Sequence, residues 1–351
     1  MKSWQIVRWA EPLELREYPN PVPEGREVLV RTLACGICHS DLHIWQGYFD
    51  LGGGDRINIA DRGVKLPFTL GHEVVGEVVA VGPDVVEVRP GDQRIVYPWA
   101  GCGACADCRR GDELWCTKPR VVGTWRHGGY ADHVVVPDAR YLVPYDGLDP
   151  RVACTYACSG VTALSALKKT GLTREDQTLL MVGSGGVGLQ AVQMARAVVK
   201  GRIIVADTDP AKRQAALAAG ADQAIDNSGQ EAFKEVKEAT GGGADAAIDF
   251  VGRPATASFA VASLRPKGGT LVVVGLYGDR LPLPLAWLPL RAMTLRGSYV
   301  GTQRDLEEVI GFARDGRLSP LPVDPRPFAA VNQAMTDLGA GKVTGRIVLT
   351  P

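Results

Sequence analysis

The spacing of apolar and polar positions changes character twice along the chain. Up to about residue 150, short apolar or alternating runs are punctuated by Gly and Pro. Glu27–Thr32, Val74–Val81, Gln93–Tyr97 and Asp132–Val136 read as strands. A series of this kind predicts a closed or partly closed antiparallel barrel with long functional loops. Gly47–Lys65, which contains Gly52-Gly53-Gly54, is the longest irregular stretch and is expected to act as a lid or interface element.

From about residue 155 the period switches between that of strands and that of helices. Thr178–Val182, Arg202–Ala206, Gln223–Asp226, Ala244–Phe250 and Thr270–Val274 read as strands. Between them, Gly186–Val199, Pro210–Ala219, Glu231–Ala239 and Ala255–Leu264 read as helices, the second started by Asp209 and stopped by Gly220. Regular alternation over this length predicts an α/β unit, a doubly wound parallel sheet of Rossmann type. After about 297 comes a mixed tail whose last strand, Arg346–Leu349, is expected to return to the first domain. The expected division is residues 1–154 with 297–351 in one domain and 155–296 in the other. There is no internal repeat and no low-complexity tract.

A chain of 351 residues suits two cores better than one. Lys+Arg and Asp+Glu balance at 39 each, which leaves no electrostatic reason to expect nucleic acid or an anionic membrane as partner. The longest apolar run, Leu281–Leu290, holds three prolines and is too short to span a bilayer. Charges close to the start, at Lys2 and Arg8, argue against a secretory leader, so a cytoplasmic location is expected.

Cysteine usage points to chemistry. The eight cysteines are clustered rather than scattered, which in such a chain favours metal over disulfides. Cys102, Cys105, Cys108 and Cys116 lie on one short Gly-rich loop, where four thiolates can close a tetrahedron around Zn²⁺ with no open position. An iron–sulfur cluster is the rival, but the Pro expected after the last Cys is absent. A catalytic zinc needs three protein ligands and a vacancy. Cys38 in Cys35–His43 and His72 in Gly71-His72-Glu73 are good candidates, and Cys158 at the domain junction offers the third. Cys35 and Cys154 read as small buried residues, and His127 and His133 as structural.

Ser40 and His43 share a face if a short helix runs from Ser40 to near Gly47, and that spacing suits a proton relay ending on His43. Further on, Gly183-Ser184-Gly185-Gly186-Val187-Gly188 follows a strand and opens a helix. Glycines there let the backbone approach a pyrophosphate at the positive helix end. Asp207 ends the next strand, where a carboxylate would accept both adenosine ribose hydroxyls and repel a 2′-phosphate, favouring NAD over NADP. Lys212 is a further cofactor contact and, with Arg213, would soften that repulsion.

Taken together, CGICHSDLH, GHEVVGEVVAVG, the four-Cys loop, CSGVTAL, VGSGGVGLQAVQMA and KVTGRIVL resemble the zinc-containing medium-chain alcohol dehydrogenases over essentially the full chain. The resemblance implies a GroES-like barrel as catalytic domain and a catalytic Zn²⁺ on Cys38, His72 and Cys158, the known ligand set of that family. It also implies a structural Zn²⁺ on the four-Cys loop, and His39 near the cofactor pyrophosphate. Asp41, Glu73 and Arg346 match positions that orient the ligands and balance charge. Val274, Leu276, Ser298 and Val300 match segments beside the nicotinamide. Trp45 and Trp99 match pocket positions, and Trp125 is expected to approach the pocket. The implied activity is reversible hydride transfer between NAD⁺ and a primary or secondary alcohol, apolar or aromatic, in a dimer or tetramer paired through Leu281–Leu290. A polyol dehydrogenase would more often carry a carboxylate as third ligand, a quinone or enoyl reductase would lack both metal sets, and a non-catalytic zinc scaffold would not need Ser40 and His43.

Overall fold

The computed structural model describes residues 1–319 and 321–351. Its first part is a seven-stranded sheet in the order Leu142–Val143, Gln93–Val96, Glu73–Val81, Val28–Gly36, Arg346–Thr350 and Val323–Pro327, with His133–Val136 also paired to Val28–Gly36; all pairs are antiparallel except Arg346–Thr350 with Val323–Pro327. Lys2–Ile6, Glu14–Glu17 and Phe68–Thr69 form a smaller sheet beside it. Val28–Gly36 is buried along most of its length because it pairs with three other strands. The strand Arg346–Thr350 pairs with Val28–Gly36, Val348 facing Gly36 and Leu349 facing Cys35.

One register positions the chemistry. Gly36 pairs with Glu73 across the two longest strands, so Cys38, two residues past one strand, lies beside His72, one residue before the other. Cys38 caps the helix His39–Gln46, which ends at Gly47. Ser40 therefore sits inside the first turn rather than at the cap.

The second sheet has six parallel strands in the order Gln223–Ile225, Arg202–Ala206, Thr178–Val182, Ala246–Asp249, Thr270–Val273 and Thr294–Gly297. Its central strands read as continuous apolar runs because helices cover both faces. Side chains alternate between two cores: Leu179, Met181, Ile203 and Val205 join the large cluster shared with the barrel, while Leu180, Val182, Ile204 and Ala206 join a second one. The helical segment Pro150–Thr155, a π-turn at Tyr156–Gly160 and the helix Val161–Lys169 link the two sheets. Among the described residues no helix is long and apolar enough to cross a membrane.

Two segments differ from the sequence-based expectation. Much of Gly47–Lys65 is ordered as a hairpin, Tyr48–Gly52 with Asp55–Asn58, followed by a single turn at Ala60–Arg62. Its turn needs Gly53 and Gly54, both at positive φ (64° and 91°), a conformation that side chains resist. The sixth strand, Thr294–Gly297, was not expected, because all four of its residues are exposed and carry no burial pattern.

Candidate active site

Cys38, His72 and Cys158 are buried, and their ligand atoms lie within 4.8 Å of one another. Cys158 arrives from the π-turn, whose Ser159 amide donates to Glu73 Oε1 at 3.2 Å. A tetrahedral ion with bonds of about 2.0–2.3 Å separates its ligand atoms by roughly 3.3–3.8 Å, so the triad needs little adjustment to hold zinc. A second observation agrees. His72 Nδ1 is held by Asp41 Oδ1 at 3.1 Å, while its Nε2 is buried without any hydrogen-bond partner among the described residues. An orphaned imidazole nitrogen beside two buried sulfurs is what a ligand set looks like before its ion is counted.

The surrounding charges are arranged in layers. Asp41 Oδ2 accepts from the Cys38 amide at 2.9 Å and from the Tyr130 hydroxyl at 3.0 Å. Glu73 Oε2 pairs with Arg346, an ion pair almost wholly out of solvent. Burial pushes Glu73 up to about 7 although Arg346 pulls the other way. The hydrogen bond with Cys158 holds the Cys38 thiol well below its ordinary value against the effect of burial, with His72 assisting. Cys158, bonded to Cys38 and buried, is pushed up. Burial disfavours the protonated His72, but the Asp41 carboxylate overrides it and raises the imidazole.

The four-Cys loop forms the second cluster, again with ligand atoms within 4.8 Å. Amides of Ala104 and Cys105 donate to Cys102 Sγ at 3.4 and 3.3 Å, and Cys108 donates to Cys105 Sγ at 3.4 Å. Those backbone dipoles lower Cys102 to about 6, which favours the thiolate a metal requires. Cys35 and Cys154 are buried outside both groups, as read from sequence.

Ser40 and His43 lie one turn apart on His39–Gln46, both half-buried. His43 packs on Phe49 at 5.2 Å and on Tyr277 at 6.3 Å between ring centres, and burial lowers its pKa, with Cys38 opposing. His39 Nε2 shares a 2.7 Å hydrogen bond with the Tyr277 hydroxyl, a link from the barrel to the parallel-sheet domain. Tyr277, Tyr130 and Tyr299 carry no motif, and sequence reasoning missed all three.

The glycine-rich segment stands at the carboxyl end of Thr178–Val182 and opens the helix Gly186–Val198. Gly188 is obligatory, because a Cβ there would stand 1.9 Å from the Gly183 carbonyl oxygen. Gly185 faces open space, with nothing within 4 Å of an added Cβ, so the backbone there is approachable, and Val187 follows Gly186 in the first helical turn. Asp207 Oδ2 accepts from the Ser184 amide at 2.7 Å and from its hydroxyl at 3.0 Å, tying the acid to the same loop. Lys212 stands nearby in the next helix, 3.9 Å from Asp209. Val274 and Leu276 follow the strand Thr270–Val273, and Ser298 donates its amide to Val273 at 2.9 Å. The Ser298 hydroxyl takes a hydrogen bond from Lys169 at 2.9 Å, and Val300 is buried with a strained φ of 32°.

A cavity of about 500 Å³ is lined by Trp99, Trp125 and Tyr299 together with Cys116 and residues near it, and Trp99 relates it to the triad. Trp99 packs on His72 at 5.7 Å and donates to the Ala157 carbonyl at 3.0 Å. Trp45 does not line that cavity; its indole N–H is spent on the Glu11 carbonyl at 2.6 Å.

Two family models match, described as the alcohol dehydrogenase GroES-like domain over residues 24–147 and zinc-binding dehydrogenase over 186–315. An NAD-dependent alcohol dehydrogenase of Sulfurisphaera tokodaii is 38% identical, with 100% of each chain covered. An alcohol dehydrogenase of Geobacillus stearothermophilus is 35% identical over 99% of this chain and 98% of that protein. Among solved structures, the alcohol dehydrogenase of Aeropyrum pernix superposes with a TM-score of 0.90 at 31% identity, covering 100% of both chains.

Proposed function

The chain belongs to the zinc-containing medium-chain alcohol dehydrogenases, and from that premise we propose how its own residues divide the work of NAD-dependent alcohol oxidation. The observation that carries the reading is the buried triad with its unpartnered imidazole nitrogen, related through Trp99 to an aromatic cavity. Cys38, His72 and Cys158 would hold the catalytic Zn²⁺, and Cys102, Cys105, Cys108 and Cys116 the structural one. When bound, zinc supplies Lewis acidity and NAD⁺ an acceptor for the electron pair that leaves the carbinol carbon.

The chain's residues supply placement and proton transfer. Asp41 fixes the His72 ring, and Glu73 with Arg346 balances charge beneath the triad. Ser40 takes the proton of the alcohol hydroxyl as it gives up its own, and His43, kept neutral by burial and one turn further out, is the acceptor at the end of the relay. His39, Gly183, Gly185, Gly186, Val187, Gly188, Asp207 and Lys212 bind the dinucleotide, while Val274, Leu276, Ser298 and Val300 frame its nicotinamide end. Trp99 and Trp125 give the pocket apolar aromatic walls, which favour an apolar or aromatic alcohol over a polyol.

Residues 1–154 with 297–351 form the catalytic domain in this reading, and 155–296 the cofactor domain. Association into a dimer or tetramer, in the cytoplasm, completes it. Leu285 (80% exposed) and Leu290 (71%) lie in Leu281–Leu290, next to the free edge of Thr294–Gly297, an apolar surface suited to a second copy. The test is one preparation assayed twice. Metal analysis should find two zinc ions per chain, one for each ligand cluster. Oxidation of benzyl alcohol should proceed with NAD⁺ and stop when the metal is removed; undiminished turnover by metal-free protein would refute the assignment.

A further inference from the structure

Among the aromatic and aliphatic residues of the cavity walls stand two charged side chains, Arg62 and Glu113. Glu113 is already neutralised. Its Oε1 meets Arg140 at 3.2 Å, and its Oε2 accepts from the Tyr141 hydroxyl at 2.6 Å and the Gly101 amide at 3.3 Å. Arg62 is exposed, and among the described residues no ion pair or hydrogen-bond acceptor engages its guanidinium. Instead the guanidinium lies 4.8 Å from the centre of the Trp125 ring. The Arg62 carbonyl meanwhile accepts the Trp125 indole N–H at 3.1 Å. Backbone and side chain of one residue thus grip the same indole, which fixes a cation at the cavity wall. A guanidinium stacked on a ring keeps its in-plane donors available for a planar anion.

Two aromatic rings relate the cavity to the triad. Tyr299 meets the Trp99 ring edge-on, 5.9 Å between centres. Trp99, which packs on His72, lines the same space. A molecule in this cavity therefore meets both Arg62 and Trp99, the ring that packs against the ligand His72.

Building on the alcohol dehydrogenase reading, we propose that Arg62 makes the enzyme selective for aromatic alcohols and aldehydes that carry a carboxylate at the end remote from the reacting carbon. Apolar walls alone separate similar alcohols weakly. A fixed guanidinium adds a charge-assisted, bidentate contact that a neutral analogue cannot make.

The zinc-loaded enzyme is assayed with NAD⁺ and a matched pair, para-(hydroxymethyl)benzoate and para-(hydroxymethyl)benzamide, for the natural chain, Arg62→Lys and Arg62→Gln. The ratio of kcat/KM, acid over amide, should be about fivefold or more in the natural enzyme, drop by about that factor in Arg62→Gln and be partly kept in Arg62→Lys. Terephthalate binding, read from tryptophan fluorescence without turnover, should weaken in the same order. A ratio near unity in the natural enzyme, or one that Arg62→Gln leaves unchanged, overturns the proposal. If neither alcohol is oxidised by the natural enzyme, the parent reading fails instead, and the terephthalate titration still decides whether Arg62 recognises the anion.

Discussion

Asp41 and His72 are joined by a 3.1 Å bond between carboxylate Oδ1 and imidazole Nδ1, and the other Asp41 oxygen accepts the Cys38 amide at 2.9 Å. One acid therefore fixes two of the three buried ligand residues, through the ring of one and the backbone of the other. Asp41→Asn keeps the shape but weakens both bonds. Zinc affinity, measured by chelator competition, should fall about 10- to 100-fold, with much of the activity restored by excess zinc. Unchanged zinc affinity would remove Asp41 from this positioning role.

The four-Cys loop lies apart from the buried triad, and its site is closed by four sulfurs. Cys102→Ser should act on stability before chemistry. The melting temperature should drop by about 5 °C or more, and one zinc per chain should be lost while the triad keeps its own. Loss of both ions together would show that the clusters are not independent.

Asp207 is held by two hydrogen bonds from Ser184, so its carboxylate stands fixed beside the glycine-rich turn. Asp207→Ala should raise the KM for NAD⁺ about 10- to 100-fold with a smaller change in kcat, and should narrow the gap to NADP⁺. Equal KM values in variant and natural enzyme would place the ribose elsewhere.

Burial lowers His43, with Cys38 opposing, so the imidazole stays neutral at pH 7 and can accept a proton. As pH falls through that depressed value, which lies below the ordinary 6.5, the ring charges and can no longer act as acceptor. Alcohol oxidation should therefore decline on the acid side, and His43→Gln should lower kcat about 100-fold and flatten that limb of the profile. An acid limb of undiminished slope in the variant would assign the titration to another group.

The two clusters of sulfur and imidazole donors were legible because thiolate and imidazole chemistry constrains both residue type and spacing. The parallel sheet was legible because strands buried on two faces read as unbroken apolar runs. What escaped notice lies where neither constraint operates. The hairpin after Gly47 is mostly exposed, so its pairing leaves no alternation to read, and only its glycines hint at a turn. Tyr277 meets His39 through a contact between distant segments, which no local pattern announces. Arg62 sits in a single helical turn, where an arginine ordinarily reads as a solvated surface charge. Trp45 was assigned by family correspondence alone, and its bond to Glu11 turns its polar edge to a local task.

The pairing of Arg346–Thr350 with Val28–Gly36 has a consequence for biogenesis. The counter-ion to Glu73 is translated 273 residues after it, whereas Cys38 and His72 precede it. At roughly 5–20 residues per second, those two side chains wait on the order of tens of seconds before the barrel can close around them. During that interval Glu73 lacks its charge partner beneath the Cys38 thiol and the His72 imidazole, so the charge balance of the triad is completed only by the docking of this late strand.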